Sequence, residues 1–375
     1  MKYVKIYLLL LGLLAAGAAR AQGKLTGVVQ DSVTHEPLAF ASVFLANTTL
    51  GATTNELGQF EFARIPKGTY DVVGSYVGYR LGKQPFTASA APQQLALHLA
   101  PTGNQLGEVV VEPAPNKPEE YQQFSALLLG GSTFSAQCRI SNPERVRVAY
   151  DDSTHELTAR TKEFLQIDNE ALGYRLKYYG LYFAYSTAAH SVTYYGEPVF
   201  EEMTPHDAAQ QQQWQANCAT AYAGSLMHFV RAVYTNTLKA NNFLAQQVRN
   251  TPKGLVLNPA ARPADSLRRV SADGQHTYLR FRGPLQVAYF GEAPDPRYAK
   301  PMKSLGATRT PYPALRQVSR LELLADEAEI QADGSVLDPL DLSVGDYWGF
   351  EKIGEFLPYD YAPPTPSTPP PPATP

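Results

Sequence analysis

Between residues 24 and 112 the chain alternates polar and apolar positions. Gln59-Phe60-Glu61-Phe62 is one such run, and Leu95, Leu97 and Leu99 alternate with Ala96 and His98. A period of two sends successive side chains to opposite faces of a strand, so one face is buried. Val43 with Leu45, and Tyr70 with Val72, continue the pattern. Asn55-Glu56-Leu57-Gly58 and Pro66-Lys67-Gly68 supply turns between the runs. About seven short strands in about 90 residues predict a β-sandwich.

The pattern then becomes mixed. Val146 to Tyr150, Glu156 to Thr161, Tyr174 to Tyr185 and Val192 to Phe200 read as strands. Thr204-Pro205-His206-Asp207 reads as a helix start, with Thr204 as N-cap and Pro205 at the first position. Trp214, Cys218, Ala221 and Tyr222 share one helical face, and Gly224-Ser225 breaks and restarts the helix. Leu226, Phe229, Val230, Val233, Tyr234 and Leu238 form a second apolar stripe. Ala272-Asp273-Gly274 and Ala332-Asp333-Gly334 read as hairpin connections.

The fold class predicted is multidomain: an all-β sandwich followed by an α+β domain with a central helix pair. The expected divisions are a leader at 1–21, the sandwich at 22–112 and a linker at 113–118. The α+β domain follows at 119–361, and a Pro-rich tail at 362–375.

Lys2 and Lys5 precede an apolar run from Ile6 to Ala16, and Ala19-Arg20-Ala21 fits a small-x-small cleavage site. This reads as a secretory signal cut after Ala21, too short for a good membrane span. The expected location is the periplasm or an outer-membrane-associated site, with no transmembrane segment in the mature chain. Loss of Lys2, Lys5 and Arg20 takes the formal charge from −3 to about −6. That argues against nucleic acid as a partner, since phosphate binding needs a basic face. Export permits a disulfide between Cys138 and Cys218; two separate buried thiols are the other reading.

Gly27-Val28-Val29-Gln30-Asp31, Pro37 to Val43, Thr53 to Phe62, Ile65 to Tyr70 and Val77-Gly78-Tyr79 follow in order. This run resembles the carboxypeptidase-regulatory-like (transthyretin-like) module of exported Bacteroidota proteins. The resemblance covers roughly a quarter of the chain and implies an accessory sandwich that does no hydrolysis. Leu106 to Val111 is similar to the segment after that module in TonB-dependent receptors. No series of amphipathic strands of about 10 residues follows, so it reads as a last β-strand. Asn142-Pro143, Ile167-Asp168-Asn169, Leu172-Gly173-Tyr174, Tyr195-Gly196, Tyr222 to Tyr234 and Trp348 to Pro358 resemble the region after the module in such exported proteins. That likeness implies domain order and location, and no catalytic residues.

A zinc carboxypeptidase needs His and Glu three residues apart with a distant His. None of the seven His residues has Glu at the third following position. G-x-S-x-G, S-x-x-K, C-x-x-C, G-x-G and P-loop patterns are also missing from the sequence. No catalytic, cofactor-binding or metal-ligating residue is therefore nominated. Tyr174, Tyr178 and Tyr182 are a candidate binding surface, since strand aromatics stack on sugars or hold a partner; packed sheets also use Tyr heavily. His228 and Arg231 are either an anionic-ligand site or a helix-surface pair. The sequence thus supports a non-catalytic cell-envelope binding or scaffold protein, with an envelope protein or glycan as partner and no cofactor. The alternative is an envelope hydrolase of peptide or glycan, which a clustered carboxylate pair would favour.

Overall fold

The computed structural model describes residues 23–102, 116–251, 254–298 and 316–364. The expected leader (1–21), the Leu106 to Val111 segment, the first half of the linker and the tail from 365 lie outside the described residues. The chain divides into two compact units. One comprises residues up to Leu45 with Leu50–Asn104; the other comprises Ala46–Thr49 with the chain from Gln105 onward.

The first unit is all β. Its strands are β1 (Gly23–Asp31), β2 (Ser42–Leu45), β3 (Gly51–Thr53), β4 (Gln59–Ile65), β5 (Gly68–Ser75), β6 (Gly82–Ala88) and β7 (Gln93–Leu99). They form one sheet in the order β4-β1-β7 and another in the order β3-β2-β5-β6. β1 pairs antiparallel with β4 and parallel with β7. The alternation predicted for β4 is present: Phe60 and Phe62 point inward and pack edge to face at 5.9 Å. Leu25, Val29, Val43, Leu45, Ile65 and Val72 fill the space between the sheets. Each such side chain contributes about 1.5–3 kcal/mol by leaving water.

The second unit is α+β with few helices. Pro118 opens α1 (Pro118–Leu129), with Glu119 and Glu120 in the first turn, where acids favour the helix dipole. No strand or helix was expected there; α1 buries only Phe124, Leu128 and Leu129, so its apolar stripe is narrow. Next come β8 (Cys138–Ile140), β9 (Val146–Asp151), β10 (Glu156–Thr161), β11 (Phe164–Asn169), β12 (Tyr174–Ser186) and β13 (Ser191–Glu202). β12 is long enough to pair with β13 along one edge and with β11, then β10, along the other.

The helix pair follows. α2 (Ala208–Tyr222) starts later than a Thr204 cap implies. Asp207 is the N-cap, and its carboxylate accepts the Gln210 N–H at 2.8 Å. Ser225 caps α3 (Leu226–Tyr234) by accepting the His228 N–H at 3.1 Å. The remaining strands are β14 (Phe243–Thr251), β15 (Gly254–Ala261), β16 (Arg268–Val270), β17 (Thr277–Leu279), β18 (Leu285–Tyr289), β19 (Gln317–Leu323), β20 (Ala328–Ile330) and β21 (Leu342–Asp346). They form sheets ordered β15-β14-β18-β19-β21 and β16-β17-β20. The short α4 (Tyr347–Glu351) and a 3₁₀ turn at Lys352–Glu355 close the unit. Among the described residues no helix is long and apolar enough to cross a membrane.

Candidate functional site

The nominated tyrosines do not share an exposed face. Tyr174 and Tyr178 are only 9% and 4% exposed and belong to the core beneath β12. Tyr174 meets the Phe200 ring edge to face at 5.8 Å, and burial pushes both phenols up. Tyr182 is half-buried, stacked on Tyr195 at 4.9 Å and covered by the Arg160 guanidinium at 4.6 Å. Two of these three tyrosines are thus core residues. Covering layers bury them, and Tyr182 is already engaged.

His228 and Arg231 both make hydrogen bonds inside the fold. The His228 ring is buried against Tyr222, at 4.7 Å, and Phe243, at 4.9 Å. Its Nδ1 accepts the Gly224 N–H at 3.2 Å, so Nε2 carries the proton and donates to Asn241 Oδ1 at 3.0 Å. Burial holds its pKa below the ordinary value, so it is neutral near pH 7. Arg231 donates from Nε to the Asp333 carbonyl at 2.7 Å and from Nη2 to the Tyr359 and Tyr361 carbonyls at 3.0 and 3.1 Å. It is a clasp on backbone, with those donors spent inside the protein.

Cys138 and Cys218 are free thiols. Each donates to a different carbonyl, Cys138 to Phe134 at 3.6 Å and Cys218 to Leu172 at 3.4 Å. Burial pushes both thiols up to about 12.

A small cavity of about 190 Å³ lies beside α4, bordered by Leu226, Met227, Trp348, Glu351, Lys352 and Glu355. Gly354 lets this segment approach the Ser132–Ser135 turn, since a Cβ there would meet Ser135 Oγ at 2.1 Å. Asp346 and Lys352, at either end of α4, have φ of 58° and 49°, a backbone region that only glycine adopts freely. Burial raises Glu351 well above the carboxylate range, and burial with repulsion from Asp295 and Glu292 pushes Glu355 up to about 7. Burial also takes Glu292 to about 7 and brings Lys352 down to about 8. Such shifts mark acid–base sites as well as structural clusters. A cavity that accepts a drug-sized ligand occupies about 300–1,000 Å³. This one is therefore too small for a stretch of peptide or glycan. Among the described residues no group of three or more His, Cys, Asp or Glu is placed to hold a metal ion.

The sandwich carries a different feature. Phe40 is 68% exposed and has φ of 61°, which is strained for a bulky side chain. The buried Thr54 holds it there. Thr54 Oγ1 donates to the Leu38 carbonyl at 2.7 Å and accepts the Ala41 N–H at 2.8 Å. The Phe40 N–H donates to the Thr54 carbonyl at 3.1 Å, and the Thr54 N–H to Ala41 at 2.9 Å. The adjoining turn presents Leu57, 63% exposed, at the border of a groove of about 820 Å³ over β1, β4 and β7. Leu57 and Gln59 N–H groups both donate to Asn55 Oδ1, which fixes that turn. Phe40 and Leu57 were not singled out in the sequence. Their signal was weak: an apolar residue inside each turn segment.

Residues 25–111 match the model of the CarboxypepD_reg-like domain, and the sandwich is such a module. The match ends at residue 111, before α1. No curated protein matches the chain. Among solved structures, the shaft pilin SpaA of Lactobacillus rhamnosus GG is 16% identical, covers 22% of this chain and 47% of its own, and has a TM-score of 0.18. This chain thus spans about half the pilin's length. A type II cohesin–X-dockerin complex from Acetivibrio cellulolyticus, an N-terminal interface mutant, is 21% identical over 30% of this chain and 77% of that one, with a TM-score of 0.19. At scores this low neither bears on function.

Proposed function

We propose that this is an exported cell-envelope binding or scaffold protein whose CarboxypepD_reg-like sandwich anchors a partner protein through Phe40 and Leu57. The observation that carries the reading is Phe40, held outward in a strained backbone by four hydrogen bonds to one buried threonine. An exposed aromatic costs solubility and a strained φ costs about 1–3 kcal/mol. Strained positions of this kind cluster at ligand clamps and active sites. A rigid aromatic anchor loses little entropy on binding, which is why a few such residues dominate interface energies. An apolar pair of this kind suits a protein surface better than a hydroxyl-rich glycan.

The test is in-cell crosslinking from a photoreactive residue placed at Phe40 or Leu57, with captured proteins identified by mass spectrometry. Reproducible capture of one envelope protein, lost in Thr54→Val, supports the reading. Equal capture from an exposed control position outside that groove, such as Lys67, overturns it. The second reading, an envelope hydrolase, is favoured by the Glu351–Glu355 pair and opposed by the size of their cavity. Hydrolysis of a peptide or glycan library that Glu355→Gln abolishes would establish it.

A further inference from the structure

Five arginines of the second unit, Arg262, Arg268, Arg269, Arg280 and Arg282, line one groove of about 1,070 Å³. Two carboxylates, Asp326 and Glu327, share it. The groove therefore carries a formal surplus of three positive charges in a chain whose net charge is −3.

Two of the five are fixed by the protein. Arg269 makes a two-pronged pair with Glu327, Nε to Oε2 at 2.8 Å and Nη2 to Oε1, and lies 4.1 Å over the Tyr278 ring. Arg262 donates to the Ser266 hydroxyl and carbonyl, each at 3.0 Å, and to Gln247 Oε1 at 3.2 Å. The other three keep their forks open. Arg280 and Arg282 are exposed on either side of the buried Phe281, and among the described residues their guanidinium groups form no hydrogen bond or ion pair. Arg268 Nε is buried with no hydrogen-bond partner, and its guanidinium faces the Tyr234 ring at 6.0 Å. Like charges gathered in a groove repel each other. Asp326 and Glu327 offset part of that repulsion; a bound anion would offset the rest, and a concave wall strengthens its attraction.

We infer that this groove is a binding site for a phosphate-bearing group. Arginine supplies a planar fork that grips an oxyanion with two parallel N–H bonds, and the groove is lined by arginine with no lysine. Charge density favours phosphate over carboxylate, since one phosphate group balances up to two of the three surplus charges. This site lies on the second unit and does not depend on the role given to Phe40.

The test titrates the full chain with inorganic pyrophosphate by calorimetry at low salt, then at raised salt. Pyrophosphate is expected to bind, more weakly as salt screens the groove. Arg280→Ala with Arg282→Ala is expected to weaken binding roughly tenfold or more, with little change in melting temperature because both side chains are exposed. Arg280→Lys with Arg282→Lys keeps the charge, loses the fork and is expected to recover only part of the affinity. Vesicles of phosphatidylcholine with phosphatidic acid separate the two sources of phosphate. Binding to pyrophosphate and to vesicles points to a lipid headgroup; binding to pyrophosphate alone points to a soluble phosphate compound. The inference is overturned if pyrophosphate does not bind, if the alanine pair binds it as the parent does, or if polygalacturonate binds more tightly. The Phe40 crosslink is unchanged by these arginine substitutions, so the two proposals fail independently.

Discussion

The indole N–H of Trp348 donates to the carbonyl of Gly224 at 2.8 Å, joining α4 to the break between α2 and α3. Gly224 has φ of 87°, and a Cβ there would lie 2.0 Å from Gln317 Oε1. Trp348→Phe keeps most of the ring and leaves the Gly224 carbonyl buried without that donor. A loss of about 1–3 kcal/mol is expected, read as a shifted urea midpoint with unchanged slope. Gly224→Ala adds both the contact and the strained φ, so it is expected to cost more than Trp348→Phe in the same assay.

Thr54→Val replaces a buried hydroxyl by a methyl of similar size. It removes the acceptor of the Ala41 N–H and the donor to the Leu38 carbonyl. The sandwich is expected to lose about 1–3 kcal/mol. Faster amide exchange at Ala41 reports the same loss locally. Thr54→Ser keeps both bonds and is expected to retain slow exchange there.

Cys138 and Cys218 are held protonated by burial at pH 7. Since the thiolate is the reactive form, neither is expected to react with a thiol reagent in the native protein. Both are expected to react once it is unfolded in urea. Rapid labelling of the native chain at either position contradicts the burial described for it.

Glu292 and Glu355 titrate near 7 in the folded protein, and Glu351 higher, against an ordinary value of 4.5. Between those values the folded state binds more protons than the unfolded chain. Stability is therefore expected to fall as pH rises from about 5 to about 8. His228 opposes this below its ordinary value of 6.5, because folding holds it neutral. Three raised carboxyls outweigh one depressed imidazole and, near pH 8, the lowered Lys352. Glu351→Gln with Glu355→Gln mimics the protonated pair and is expected to flatten the decline in melting temperature across that range. An equally steep decline in the variant places the titrating groups elsewhere.

The sandwich was legible because period-two alternation acts locally: Phe60 and Phe62 must share a face wherever the strand lies. The helix break at Gly224-Ser225 was legible for the same kind of reason, since glycine and a capping serine act on their own backbone. The start of α2 was misplaced by three residues because Thr204 and Asp207 are both good caps, and the chain uses Asp207. α1 was missed because it buries a narrow stripe.

Tyr174 and Tyr178 looked like a binding face because alternation assigns a residue to a side and says nothing of what covers that side. His228 and Arg231 looked available because their partners, Asn241, Asp333, Tyr359 and Tyr361, follow them by 13 to 130 residues.

By itself the sequence determined the elements whose causes are local: the alternating strands, the turns, the helix break and the surplus of acid over base. Only the tertiary structure decided which polar and aromatic groups are used up inside the fold and which remain free. It brings Arg262, Arg269 and Arg282 together with Glu327. It also gathers Glu351, Glu355 and Trp348 around one cavity. Burial and charge proximity are properties of distance in space, and residues far apart in the chain become neighbours only when the sheets close.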